Sequence, residues 1–119
     1  MGCFVDKEGR IFEEMYSLLE SYPNKKIIVT NADAEKMHRF GLDKVPYEVF
    51  TLKGNPAKDS PEYYEKLLAK YGLESEEVLC FEHNPVAVES ANISGIKSYH
   101  YDNDQRDLVK LKRFLDQNL

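Results

Sequence analysis

Apolar residues fall along this chain in two alternating patterns, short continuous runs and runs with a helical period. The first run, Gly2 or Cys3 to Val5, predicts a strand that a polar turn closes at Asp6. Phe12, Met15, Tyr16 and Leu19 follow at i, i+3, i+4 and i+7, the spacing of an amphipathic helix, and Tyr22-Pro23-Asn24 ends it. Lys26-Ile27-Ile28-Val29-Thr30 is β-branched, too short for a helix and closed by Asn31, so it predicts a buried parallel strand. Asp33 is placed to cap a short helix through Met37 and Phe40 that Gly41 stops, and Tyr47 to Leu52 predicts a third strand.

The second half is more sharply punctuated. Ser60-Pro61-Glu62 supplies an N-cap, a first-turn proline and an acid in the order a helix start prefers. Tyr64, Leu67, Leu68 and Tyr71 form the expected buried stripe, and Gly72 ends the helix. Glu77 to Phe81 predicts a fourth strand, Asn84-Pro85 opens a helix to about Asn92, Gly95 ends it, and Ile96 to Tyr101 predicts a fifth strand. Asp104 to Leu119 reads as a closing helix with Leu108, Leu111 and Leu115 on one face. Strands alternating with helices imply right-handed crossovers and a parallel sheet covered on both faces. No linker, repeat or low-complexity stretch interrupts the pattern, so one α/β domain over residues 1–119 is expected.

Composition narrows the class. At 119 residues a single core buries roughly two thirds of the unfolded chain's surface, so neither metal nor disulfide is required for stability. With 42% apolar residues, eight tyrosines and six phenylalanines, disorder is not expected. The net charge of −5 and a longest basic cluster of Lys25-Lys26 argue against a nucleic-acid or lipid-surface patch. That leaves small polar ligands or protein partners. No apolar window reaches membrane-span length and Met1 to Arg10 has no signal-like apolar region, so a cytoplasmic location is expected. Cys3 and Cys80, each inside an apolar run, read as two buried thiols rather than a disulfide framework. Met1-Gly2-Cys3 lacks the Ser or Thr of a myristoylation start, since Asp6 stands there, and Asn92-Ile93-Ser94 is a chance glycosylation triplet.

In open α/β sheets the ligand crevice lies beyond the carboxyl ends of the strands. The residues there are Asp6 to Glu8, Thr30-Asn31 and Glu82-His83-Asn84, while Lys53 and Lys58 follow the third strand. An acid, a hydroxyl and a lysine on one rim suit phosphoryl chemistry, which needs a carboxylate nucleophile, a donor for a phosphate oxygen and a cation for developing charge. Each also has a plain structural reading, with Asp6 as a turn residue, Thr30 as a strand terminator and Lys58 as a solvated surface charge.

These residues resemble the motifs of the haloacid dehalogenase-like (HAD) hydrolase superfamily, and the resemblance spans nearly the whole chain. Apolar-apolar-Asp6 followed by Glu8 and Gly9 is similar to the first motif, and Ile27-Ile28-Val29-Thr30-Asn31-Ala32 to the second. Lys58-Asp59-Ser60-Pro61 is similar to the third; Leu73 to Phe81, then Asn84-Pro85 through Ala91 to Gly95-Ile96, resemble the surroundings of the fourth. The resemblance implies a three-layer αβα Rossmann-like fold, a five-stranded parallel sheet ordered 5-4-1-2-3, and the strands of Cys3 and Cys80 side by side. It also implies a phosphohydrolase with Asp6 as nucleophile, Glu8 as acid/base, and Thr30 and Lys58 holding the phosphoryl group of a phosphorylated small molecule or macromolecule. Only 23 residues separate Asp6 from Thr30 and 27 separate Thr30 from Lys58, which leaves no room for a cap domain.

Five positions depart from the pattern, the first being Glu8, which is one methylene longer than the usual Asp. Glu82-His83 stands where the family has Gly-Asp, Ala87 replaces its second acid, and Arg10 replaces a Thr in the first motif. The family's Mg2+ would fall to the Asp6 carboxylate, the backbone carbonyl of Glu8, Glu82 and His83, a set in which imidazole is a poor ligand for a hard cation. Arg10 has two readings, toward a phosphate or over the surface. His83 has two as well: a hydrogen-bonded imidazole at a helix start, or a protonatable group that partly replaces the metal's charge. Weak phosphohydrolase is therefore weighed against a non-catalytic binding or scaffold relative. A receiver-like phosphoacceptor ranks third, because Leu52-Lys53 stand where its acceptor Asp belongs.

Overall fold

The structure, a computed structural model, describes residues 3–6 and 8–119. Its elements run α1 (Glu13–Glu20), β1 (Ile27–Thr30), α2 (Ala34–Arg39), β2 (Glu48–Thr51), α3 (Pro61–Tyr71), β3 (Leu79–Glu82), α4 (Pro85–Ile93), β4 (Lys97–His100) and α5 (Leu108–Asn118). Short 3-10 turns at Leu42–Lys44 and Ser75–Glu77 lead into β2 and β3. The chain is thus a mixed α/β protein with short parallel strands. It divides into two compact units, Met1–Asn55 and Pro56–Leu119.

The first unit is built on a parallel β1–β2 pair, with Ile27 opposite Glu48 and Thr30 opposite Thr51. Helix α1 buries Met15 and Leu19, two of the four positions that its sequence period marks. Phe4, Tyr16 and Tyr47 form an aromatic triad with centroids 5.4 to 6.0 Å apart, mostly in edge or tilted geometry. The Tyr47 hydroxyl donates to Glu20 at 3.1 Å, and burial beside that carboxylate pushes its pKa up to about 12. Helix α2 starts as expected, since the Asp33 carboxylate accepts from the Lys36 amide at 2.9 Å.

The second unit repeats the design on a parallel β3–β4 pair, Leu79 opposite Lys97 and Glu82 opposite His100. Pro61 opens α3, Gly72 closes it in the left-handed conformation, and the Leu73 amide reaches back to the Leu68 carbonyl. The buried stripe of α3 is Tyr63, Tyr64 and Leu67, so Tyr63 takes the place expected of Leu68 and Tyr71. Helix α5 begins at Leu108, four residues later than expected, because Asp107 and not Asp104 caps it through the Lys110 amide. Asp102 instead holds Asp104 and Gln105 in a turn.

The five-stranded sheet ordered 5-4-1-2-3 is not present. Among the described residues there are four strands in two two-stranded sheets. The neighbours expected of the second and third strands and of the fourth and fifth are found, but the central first strand is not. Cys3 to Val5 is too short to carry a ladder, and it pairs backwards with its own continuation. Val5 bridges Ile11 in antiparallel sense, Phe12 N donates to Phe4 O at 2.9 Å, and Asp6 N donates to Arg10 O at 3.0 Å. Gly2, the alternative start of that strand, lies outside the described residues. Cys3 and Cys80 are thiols of intermediate exposure rather than fully buried residues. Burial of the Cys80 sulfur still pushes its pKa up to about 12.

Candidate active site

In the first unit the backward turn fixes Asp6. The Gly9 amide closes the turn on the Asp6 carbonyl at 3.0 Å. Gly9 has φ +81°, and a side chain there would stand 3.0 Å from the Phe40 carbonyl oxygen, so only glycine seats this loop against the end of α2. Asp6 Oδ1 accepts the Glu8 and Arg10 amides, each at 2.9 Å, and Oδ2 accepts Arg10 Nε at 2.9 Å. The guanidinium also reaches Glu8, Nη2 to Oε2 at 3.4 Å. The hydrogen bond from the Arg10 amide, followed by the guanidinium and the Glu8 amide, holds the Asp6 carboxyl below the usual carboxylate range. Asp6 thus closes a turn, and that turn holds its carboxylate in a fixed orientation.

Thr30 ends β1 and is 3% exposed, with its hydroxyl accepting the Ala32 amide at 3.1 Å. Its parallel neighbour Thr51 donates to the Ala32 carbonyl at 2.6 Å and accepts the Lys53 amide at 3.0 Å. Two threonines in register thus shape the loops that leave β1 and β2. Thr30 ends a β-branched run, whereas Thr51 ends the mixed run Glu48-Val49-Phe50, so the signal in sequence is clear only for Thr30. Lys53 itself has φ +59°, a left-handed conformation that this loop imposes.

In the second unit Lys58 is not a solvated surface charge. Its Nζ lies 2.7 Å from Glu82 Oε2, with side-chain exposures of 15% and 5%. Glu82 Oε1 accepts the His83 amide at 3.1 Å and the Asn84 amide at 3.5 Å. The His83 ring stands beside it, Nδ1 to Oε1 at 3.0 Å, but at an angle that makes no hydrogen bond. His100 Nε2 lies 2.8 Å from the His83 carbonyl, and because a carbonyl only accepts, Nε2 of His100 carries the proton. Asn84 caps α4 through the Val86 amide at 3.0 Å. Ala87 is fully buried on α4 and belongs to the core packing.

One residue near this cluster was read for packing alone. Tyr64 is fully buried and its hydroxyl makes no hydrogen bond among the described residues. Burial, with the nearby Cys80 and Glu82, drives its pKa well upward.

The side chains expected to hold Mg2+ do not fit that ion as they are placed. Magnesium demands near-octahedral oxygen ligands at about 2.0 to 2.1 Å and gives up water reluctantly. Asp6 already carries two amides and a guanidinium, Glu82 has Lys58 and two amides, and His83 offers only nitrogen. Comparison with known family models, curated proteins and solved structures gave no match to this chain.

Proposed function

We propose that this protein is a HAD-like phosphohydrolase of low turnover that acts through an aspartyl-phosphate at Asp6. The observation that carries the reading is the state of that carboxylate: ionised, held by two amides on Oδ1, and turned so that Oδ2 meets a cation. A carboxylate nucleophile needs that combination of charge and fixed aim. The HAD assignment rests on the motif resemblance, and the parallel pairs β1–β2 and β3–β4 support its α/β class.

In the reaction Asp6 Oδ2 bonds to phosphorus while the bond from phosphorus to the ester oxygen breaks. Glu8, in its protonated form, gives its proton to the leaving oxygen. Water then attacks the phosphorus of the acyl phosphate, returns a proton to Glu8 and releases inorganic phosphate with Asp6 regenerated. Thr30 is assigned to the phosphoryl oxygens by resemblance. The substrate class is a phosphomonoester, small or on a macromolecule.

The test is turnover of an aryl phosphate by the wild-type chain and by Asp6→Asn. The wild type should release phosphate slowly, and Asp6→Asn should lose about a hundredfold or more of that rate. Equal rates would dismiss the reading.

A second reading, a non-catalytic binding relative, is favoured by the pairing of Lys58 with Glu82. A buried lysine matched by its own carboxylate brings no surplus positive charge to a phosphoryl group. In that case Lys58→Met would change stability and leave any phosphate affinity untouched.

A further inference from the structure

Arg10 is the one departure from the family pattern that places a new charge on the candidate nucleophile. We propose that Arg10 is the resident counter-cation of the site, its guanidinium taking the part of a divalent metal, so that Asp6 captures a phosphoryl group without one. This inference rests on the phosphohydrolase reading and specifies how its charge is balanced.

Four observations carry it. The guanidinium bridges the two acids of the loop, at 2.9 Å to Asp6 Oδ2 and 3.4 Å to Glu8 Oε2. It is therefore already where charge accumulates. Of its five N–H donors those two contacts use two, and the side chain is 75% exposed, so the other donors face solvent and are open to phosphate oxygens. The orientation of Asp6 does not depend on the guanidinium, because backbone amides of Glu8 and Arg10 hold Oδ1. Oδ2 is then the oxygen that forms the bond, and Arg10 passes from it to the incoming phosphoryl group. Finally, the candidate metal ligands do not fit Mg2+, whereas a planar guanidinium matches phosphate with paired hydrogen bonds.

The energetics favour the same direction of transfer. Before reaction Arg10 faces the side chains of Asp6 and Glu8, in exposed pairs of little worth to stability. An arriving phosphoryl group carries a charge close to −2, so the attraction on Arg10 grows as that group enters the site. The cost is that Arg10 partly masks the nucleophile at the start, which accounts for slow turnover.

The experiment is capture of beryllofluoride by the metal-stripped 119-residue chain, followed by amide and arginine Nε NMR shifts at neutral pH, with and without added Mg2+. The expected result is a shift at Asp6 and at Arg10 Nε that saturates at the same beryllofluoride concentration in both buffers. Arg10→Gln should weaken capture by about tenfold or more, the scale of a lost charge-assisted contact. Arg10→Lys, which keeps the charge and loses the fork, should fall between, and Arg39→Gln, a control on α2, should match the wild type. The amide spectrum of each variant reports whether it is folded, and the lysine variant decides should the glutamine variant fail.

Capture that requires Mg2+ and is indifferent to Arg10 would overturn this inference and leave the aspartyl-phosphate reading standing. Absence of capture in both buffers would remove the reading itself, and the role of Arg10 with it.

Discussion

At the scale of single residues, the loop from Val5 to Ile11 shows how much depends on backbone conformation. Gly9 combines a left-handed φ with a 3.0 Å approach to the Phe40 carbonyl. Gly9→Ala should therefore destabilise the fold by about 1 to 3 kcal/mol, measured by urea unfolding, through backbone strain and not through lost contacts. Asp6 makes a second prediction. Its folded pKa is depressed, so the stability it contributes is present above its unfolded value and is lost as pH falls through the folded one. An NMR titration of the Asp6 carboxyl should place its midpoint below that of an ordinary aspartate, and Arg10→Gln should move it up only in part. The backbone amide of residue 10 remains in that variant and is the largest cause of the depression. Cys80 behaves in the opposite sense, since its thiol is pushed up to about 12. It should resist alkylation at pH 8 in the native protein and react at an ordinary rate once urea is added.

At the scale of elements, the helices were legible wherever a capping residue coincided with an apolar period. Asp33, Pro61, Gly72 and Asn84 all mark boundaries that the structure keeps. Removing the side-chain cap at Asn84, as Asn84→Ala, should cost about 1 kcal/mol in thermal or urea unfolding, because the Val86 amide loses its acceptor. The start of α5 was misplaced by four residues because Asp102, Asp104 and Asp107 are all plausible caps in sequence, and only the turn built by Asp102 separates them. The stripe of α3 was misjudged for a related reason. Two adjacent tyrosines at 63 and 64 leave the phase of the helix undetermined, and both are buried. The strand at Cys3 to Val5 failed because an apolar run of three residues states burial but not a pairing partner, and an antiparallel bridge to Ile11 was the local alternative.

At the scale of the whole chain, the α/β class and two of the strand neighbours were legible in the alternation of runs and periods, whereas charge pairing was not. No periodicity relates Lys58 to Glu82, which stand 24 positions apart and meet only because the turn before α3 brings the lysine to the end of β3. A buried pair of this kind adds little net stability when intact, since desolvation offsets attraction, yet it is costly to break because one charge is left unmatched. Lys58→Met should therefore lower unfolding stability by about 3 to 5 kcal/mol, and Glu82→Leu should also lower it. The double replacement Lys58→Met with Glu82→Leu should recover much of the loss, since apolar side chains of similar volume replace both charges at once. Urea unfolding of the four proteins completes the cycle, and a positive coupling between the two positions is the expected outcome. Additive losses would mean that each charge has its own partner and that the 2.7 Å contact contributes nothing specific. Phosphate capture by the same double variant then tests whether the pair acts in structure alone, in which case beryllofluoride affinity is unchanged once stability is restored.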